Sequence, residues 1–288
     1  MSWLARHAVC STGRRASARD TVGKVTTLDD FRRQYDLSTK RALVIGSGSG
    51  IGRACTMALA AHGTEVIATD LDGDAAALTA RDINDQGGSA EHATLDMADP
   101  DAVPEFIGRQ DRLDVLLITP AINVRKPLVD VTDDEFERVI SVNLAGTFRA
   151  LRAAGKKMSD LGSGGSIIAV SSIRSQVVEP GQGVYAATKA GVLQMIRALA
   201  AELGPAGIRC NALAPGVVET PLTEQIKNDP DWYDAYANKG ALGRWAQPSE
   251  MGGPVVFLAS DASSFVTGSL LVVDGGWLSV DGRFTPPL

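Results

Sequence analysis

The chain is short of what marks several large protein classes. Cysteine occurs three times in 288 residues, at Cys10, Cys55 and Cys210. The three are far apart, with neither CxxC spacing nor histidine partners, so buried or free thiols in a reducing compartment are expected, with no metal site. No apolar run approaches the ~20 residues that span a bilayer, so a soluble, cytoplasmic protein without a membrane partner is expected. Basic residues are not in surplus: 28 Lys and Arg face 34 Asp and Glu, a net charge of -6, which argues against a surface built to neutralise nucleic acid. Low-complexity tracts and equal-length repeats are also missing, which excludes a solenoid and a wholly disordered chain.

What is present fits a globular enzyme. Hydrophobic residues make up 44% and charged residues 22%, and many of the 30 glycines lie between apolar runs. Residues 1–19 carry Arg6, Arg14, Arg15 and Arg19 and no acid before Asp20. A flexible basic extension over 1–36 is expected, and organelle targeting is the alternative for this composition. Short apolar runs at 42–45, 65–69, 90–95, 113–118, 166–170, 209–213 and 270–273 read as strands. They alternate with helical patterns at 51–62, 75–85, 101–109, 133–158, 184–203, 223–239 and 248–259. That alternation predicts an α/β fold: one Rossmann-type doubly wound parallel sheet of seven strands over 37–280, helices on both faces, and a C-terminal tail at 281–288. Gly146 and Gly155 predict weak continuity in the fourth long helix, and 221–247 reads as a lid.

Gly46, Gly50 and Gly52 follow the first strand and lead directly into a helix, with Ser49 and Ile51 between them. Strand, glycine turn and helix form a cradle in which backbone N–H groups meet a pyrophosphate. Asp70 ends the second strand eighteen residues past Gly52, where a carboxylate accepts from ribose hydroxyls and repels a 2′-phosphate. Neither Ser49 nor Leu71 supplies the cation that such a phosphate needs, so NAD is expected over NADP. The alternative is that Asp70 merely starts a turn.

Tyr185-Ala-Ala-Thr-Lys189, with Ser172 thirteen positions upstream, brings a phenol, an ammonium and a hydroxyl within reach of one carbonyl. Four residues apart on a helix, Tyr185 and Lys189 share a face, and the ammonium would favour the ionised phenol. Ser171 competes with Ser172 for the hydroxyl role.

Together these motifs resemble the single-domain short-chain dehydrogenase/reductase family over about 37–277. The resemblance extends to Asp96-Met97 on the adenine side, Asn143 in Ser-Val-Asn-Leu, the segment Asn211 to Gly216 with Thr220, and Asp274-Gly-Gly276. It implies that Tyr185 is the proton donor and acceptor, that Ser172 holds the substrate oxygen, and that Lys189 binds the nicotinamide ribose. Asn143 would anchor a water in a proton relay. Cofactor contacts would also come from Thr119, Ala121, Pro215, Gly216, Val218 and Thr220.

Two positions depart from the family pattern. Ile118-Thr-Pro-Ala121 stands where Asn-Asn-Ala-Gly is usual, and Ile45 replaces a threonine, which together predict a local rearrangement or weaker cofactor affinity. Ala121 to Pro127 is similar to members acting on sugar acids, polyols and related ketones. A small alcohol or ketone substrate and a homo-oligomer are therefore implied. The alternatives are an NADPH-dependent 3-oxoacyl thioester reductase and a non-catalytic dinucleotide-binding scaffold. Arg125-Lys126 reads as a carboxylate or polyol contact or as solvated charge. Trp232, Tyr233, Tyr236 and Trp245 read as an apolar lid or a subunit contact.

Overall fold

Alternation along the strands decides how the layers assemble. In a computed structural model that describes residues 27–280, the strands are β1 (Arg41–Ile45), β2 (Glu65–Asp70), β3 (Ser89–Thr94), β4 (Val115–Ile118), β5 (Gly165–Val170), β6 (Ile208–Pro215) and β7 (Leu270–Val273). Each falls within two residues of its expected bounds. All pairings are parallel and the order is β3-β2-β1-β4-β5-β6-β7. Cys10, the arginine-bearing stretch 1–19 and the tail 281–288 lie outside the described residues.

The helices are α1 (Leu28–Arg33), α2 (Gly50–Ala61), α3 (Gly73–Asp85), α4 (Ala102–Gly108), α5 (Asp133–Ile140), α6 (Thr147–Leu161), α7 (Gly183–Leu203), α8 (Glu224–Lys227), α9 (Pro230–Ala237) and α10 (Gly252–Ala259). Leu43, Ile45, Leu116 and Ile167 point to one face of the sheet and bury against α4, α6 and α7. Their neighbours Ala42, Val44, Leu117 and Ile168 point to the other face, against α2 and α10. Both faces of the strands are covered, as a parallel sheet with helical crossovers requires. Cys55 and Cys210 are free and buried, and burial pushes both thiols up to about 12.

Two helix expectations need correction. The helix expected at 133–158 continues to Leu161 and stops at Gly162, which adopts φ 68°. Between α5 and α6 it widens into a π-helical segment, Ser141–Gly146. Its glycines are packing devices: a Cβ on Gly146 would come within 2.6 Å of the Met97 carbonyl, and one on Gly155 within 2.9 Å of Leu203. The helix expected over 223–239 is two helices, because Pro230 lacks an N–H to continue α8, while Asp229 caps a fresh start by accepting the Trp232 N–H at 3.1 Å. At the other end, α1 lies inside the stretch assigned to the extension, and the Ala262 N–H reaches the Gln34 carbonyl at 3.1 Å.

From β1 the chain winds outward through β2 to β3, then returns to lay β4 on the other side of β1. This reversal opens a crevice at the carboxyl ends of β1 and β4, where loops from both halves meet.

Candidate active site

The turn after β1 is held from both neighbouring strands. The N–H groups of Gly46 and Ser47 donate to the Thr69 carbonyl at 2.7 and 2.9 Å. From β4, the Thr119 hydroxyl donates to the Ile45 and Gly46 carbonyls at 3.0 and 2.9 Å. Gly46 has φ +88°, and a Cβ there would press to 2.8 Å of Pro120 Cγ; a Cβ on Gly52 would overlap the Gly46 carbonyl. The exposed Ser49 precedes α2 without a side-chain cap, so the α2 N-terminus keeps its dipole and N–H groups for an anion. At Ile118-Thr-Pro-Ala121, Thr119 continues the β1 ladder through its N–H, at 3.0 Å from the Ile45 oxygen, and its hydroxyl ties the turn from the β4 side.

Asp70 stands at the end of β2 and serves the turn as well: Oδ2 accepts the Gly48 N–H at 2.8 Å and Oδ1 the Asp72 N–H at 3.1 Å. A carboxylate has further lone pairs to offer, and Leu71 beside it is exposed. Arg53, the cation on the first turns of α2, is engaged by Asp82. Asp96 is exposed and accepts the Ala98 N–H at 2.7 Å, while Met97 is buried against Gly146. Across the crevice, Pro215 ends β6 and Gly216 packs on Asp274. Val218 is buried and bridged to Ala246, and Thr220 faces Gly50, whose added Cβ would meet it at 3.2 Å.

The hydroxyl, phenol and ammonium converge where β5 runs out and α7 begins. The two serines differ in their hydrogen bonds. Ser171 Oγ donates to the Lys189 carbonyl at 3.0 Å and pins α7 to β5. Ser172 Oγ accepts the Arg174 N–H at 3.1 Å, and its hydroxyl acts to lower the Tyr185 pKa. Lys189 is buried with Nζ 2.8 Å from the Val170 carbonyl and 5.6 Å from the Tyr185 ring centroid. Burial pushes the Lys189 pKa down to about 8.

Burial pushes the Tyr185 pKa up; the Ser172 hydroxyl and the charges of Arg125 and Arg174 act in the other direction. Lys189, turned toward Val170, is not among these influences. Asn143 sits in the π-helical segment, fully buried. Its amide clamps the loop after β4, accepting the Ile122 N–H at 2.9 Å and donating to the Ile122 carbonyl at 2.8 Å, and it also reaches Thr188 at 3.4 Å. A widened turn carrying a functional residue is a recurring use of π geometry.

The sequence profile described as Enoyl-(Acyl carrier protein) reductase matches residues 45–278. An L-rhamnose 1-dehydrogenase (NAD(P)(+)) of Sphingomonas sp. is 37% identical over 246 residues, covering 83% of this chain and 96% of its own length. A cyclopentanol dehydrogenase of Comamonas sp. is 36% identical over 245 residues, 84% and 98% of the two chains. Among solved structures, a gluconate 5-dehydrogenase from Burkholderia cenocepacia in complex with NADP and tartrate superposes with TM-score 0.81 at 36% identity, covering 86% of this chain and 98% of its own. The chain belongs to the short-chain dehydrogenase/reductase family. It is an enzyme of that family, acting on CH–OH groups with a nicotinamide dinucleotide as acceptor.

On the substrate side of this dehydrogenase/reductase, the two adjacent cations separate. Lys126 Nζ is 2.7 Å from Glu135 and is a structural charge. Arg125 forms no ion pair with a carboxylate among the described residues and lies over the Trp232 ring at 5.5 Å. Trp232, Tyr233, Tyr236 and Trp245 pack on one another: Tyr233 stacks on Trp245 at 4.9 Å, Tyr236 on Trp245 at 5.7 Å, and Trp232 meets Tyr236 edge-on at 6.0 Å. With Ile173 and Trp277 they form a small core of their own.

Sequence reading missed the group that ties this core to the reaction centre. Glu179 accepts from the Arg174 guanidinium, from the Tyr236 hydroxyl and from Gln182 Nε2, the last at 2.6 Å. The only local signal was an opposite-charge pair five residues apart in one loop.

Proposed function

We propose that this enzyme is an NAD-dependent oxidoreductase that interconverts a small secondary alcohol and its ketone, with Tyr185 as the acid and base. The placement of Ser172 just after β5 and of Tyr185 and Lys189 together on α7, with Lys189 Nζ 5.6 Å from the Tyr185 ring centroid, carries this reading. Because Ser172 Oγ already accepts the Arg174 N–H, its own proton is free to donate to a substrate oxygen. In reduction, Tyr185 gives its proton to the carbonyl oxygen while Ser172 holds that oxygen in place; in oxidation, the phenolate removes the alcohol proton. A bound nicotinamide dinucleotide supplies or accepts the hydride.

The residues present fit such a group. Gly46 and Gly52 let the turn fold so tightly that any Cβ would collide with Thr119, Pro120 or the Gly46 carbonyl, the α2 N-terminus carries no side-chain cap, and Lys189 would hold the nicotinamide ribose. Asn143 fixes the wall through Ile122 and the start of α7 through Thr188. Arg125 and Arg174 act on the phenol in the direction that favours its ionised, base form.

The Asp70 carboxylate supports NAD over NADP, since it would meet a 2′-phosphate with like charge and Arg53 is already engaged by Asp82. Pairing of copies belongs to this reading, supported by Phe136 and Phe148, which stand half-exposed on α5 and α6. The sugar and cyclic alcohol substrates named for the relatives make small hydroxylated compounds the first panel to assay. Turnover is read by absorbance of the reduced nicotinamide with each cofactor. NAD is expected to be preferred at least tenfold, and Asp70→Ser to reduce that preference. A large NADP preference in the wild type would contradict the role of Asp70. No turnover of any alcohol or ketone in the panel would count against the reaction.

A further inference from the structure

Beside the reaction centre lies a cavity of about 310 Å³, walled by the loop after β5, by α9 with Lys239, and by the turn after β7. Its size is at the low end for small-molecule sites, which run from ~300 to 1,000 Å³. Val177, Val178, Pro180 and Leu278 give it an aliphatic lining. Two cations and the Glu179 carboxylate also line it; both cations lie over Trp277, Arg174 at 5.5 Å and Lys239 at 5.9 Å from the ring centroid. Their circumstances differ. Arg174 is buried and its charge is met by Glu179, whereas Lys239 is half-buried and forms no ion pair among the described residues. Among the described residues, Lys239 is thus the one charge of the lining without an ion-pair partner, and an incoming anion can meet it there.

Arg174 connects this cavity to the chemistry. Its backbone N–H holds Ser172 Oγ at 3.1 Å while its side chain lines the cavity wall. One residue thus spans from the point where a substrate oxygen is held to the cavity. Tyr236 makes a parallel connection, since its ring lines the cavity and its hydroxyl donates to Glu179.

We infer that this cavity is the distal subsite of the substrate and takes a carboxylate, so that the enzyme acts on short hydroxy acids or oxo acids. Lys239 supplies the charge and Arg174 the second wall. The hydroxyl or oxo group lies at Ser172 and Tyr185, the carboxylate at Lys239, and a short carbon chain runs between them along the aliphatic lining. This rests on the reading of Ser172 and Tyr185 as the reaction centre. Arg125, which stacks on Trp232, is not part of the subsite.

The test uses the full chain with its cofactor and matched pairs of substrates, hydroxy acids of four to six carbons and their methyl esters. The wild type is expected to favour the acids in kcat/KM. Lys239→Gln is expected to lower the acid-to-ester ratio by about tenfold to a hundredfold, mainly through KM for the acid, and Lys239→Glu to lower it further. An unchanged ratio in both variants would overturn the assignment, as would a ratio lost in Arg125→Gln and kept in Lys239→Gln. If the wild type turns over no member of the panel, calorimetric titration with 4-hydroxypentanoate separates the two readings. Binding to the wild type that is lost in Lys239→Glu supports the subsite although the proposed reaction has failed. No binding to the wild type, or equal binding to both proteins, overturns it.

Discussion

The two sides of the crevice are built by different means. On the cofactor side, backbone groups do most of the work: Gly46, Ser47, Gly48 and Thr119 are tied through main-chain N–H and carbonyl groups of β1, β2 and their turns. On the substrate side, side chains hold side chains. Glu179 gathers Arg174, Gln182 and Tyr236, and Tyr233 and Trp245 stack on one another. Backbone architecture of the first kind accepts many sequences so long as glycine stands where a Cβ would collide. Side-chain architecture of the second kind changes with each substitution.

The largest effect that would break this contrast is expected on the backbone side. Gly52→Ala places a Cβ over the Gly46 carbonyl and within 2.7 Å of Thr119 Oγ1. It should cost about 3 kcal/mol of stability and abolish dinucleotide binding, read by denaturant unfolding and by cofactor titration. On the opposite wall, Glu179→Gln leaves the buried Arg174 without its charge partner. A loss of roughly 2 kcal/mol is expected after allowance for the partial exposure of Glu179. Amide hydrogen exchange should rise in α9 and the loop after β5 while the glycine turn stays protected. Equal loosening of both walls would remove the distinction drawn here.

Lys189 sharpens the comparison from within the site itself. Its pKa is pushed from 10.5 to about 8 by burial, so between those values the unfolded chain binds the additional proton and stability rises with pH. At neutral pH the buried charge is a liability. Lys189→Met should therefore stabilise the fold by about 1–2 kcal/mol net of the lost bond to Val170, while activity falls. The gain should shrink as pH rises from 8 toward 10.5. A variant less stable than the wild type at pH 7 would mean that Lys189 is structurally required.

The same division explains what the sequence made legible. The short apolar runs of β1 and β4 and the spacing of Gly46, Gly50 and Gly52 are local signals, and the strands and glycine turn lie where those signals pointed. Tyr185 and Lys189 were legible because one helix carries both. The break at Pro230 was present in the letters, yet the run of aromatic residues around it looked continuous. Glu179 and Tyr236 are 57 positions apart, and no periodicity encodes a side-chain bond across that distance. Ser171 and Ser172 are equivalent as sequence; only the carbonyl of Lys189, brought over by α7, assigns one to packing and leaves the other facing Tyr185.

The central claim is that the Tyr185 hydroxyl moves the proton, and Tyr185→Phe tests it most directly because it removes that one oxygen from a ring whose packing is kept. Single-turnover formation of reduced nicotinamide from the best alcohol, with cofactor affinity measured in parallel by titration, should show the rate falling by about a hundredfold to ten-thousandfold and cofactor affinity changed by less than threefold. An unchanged rate would contradict the account.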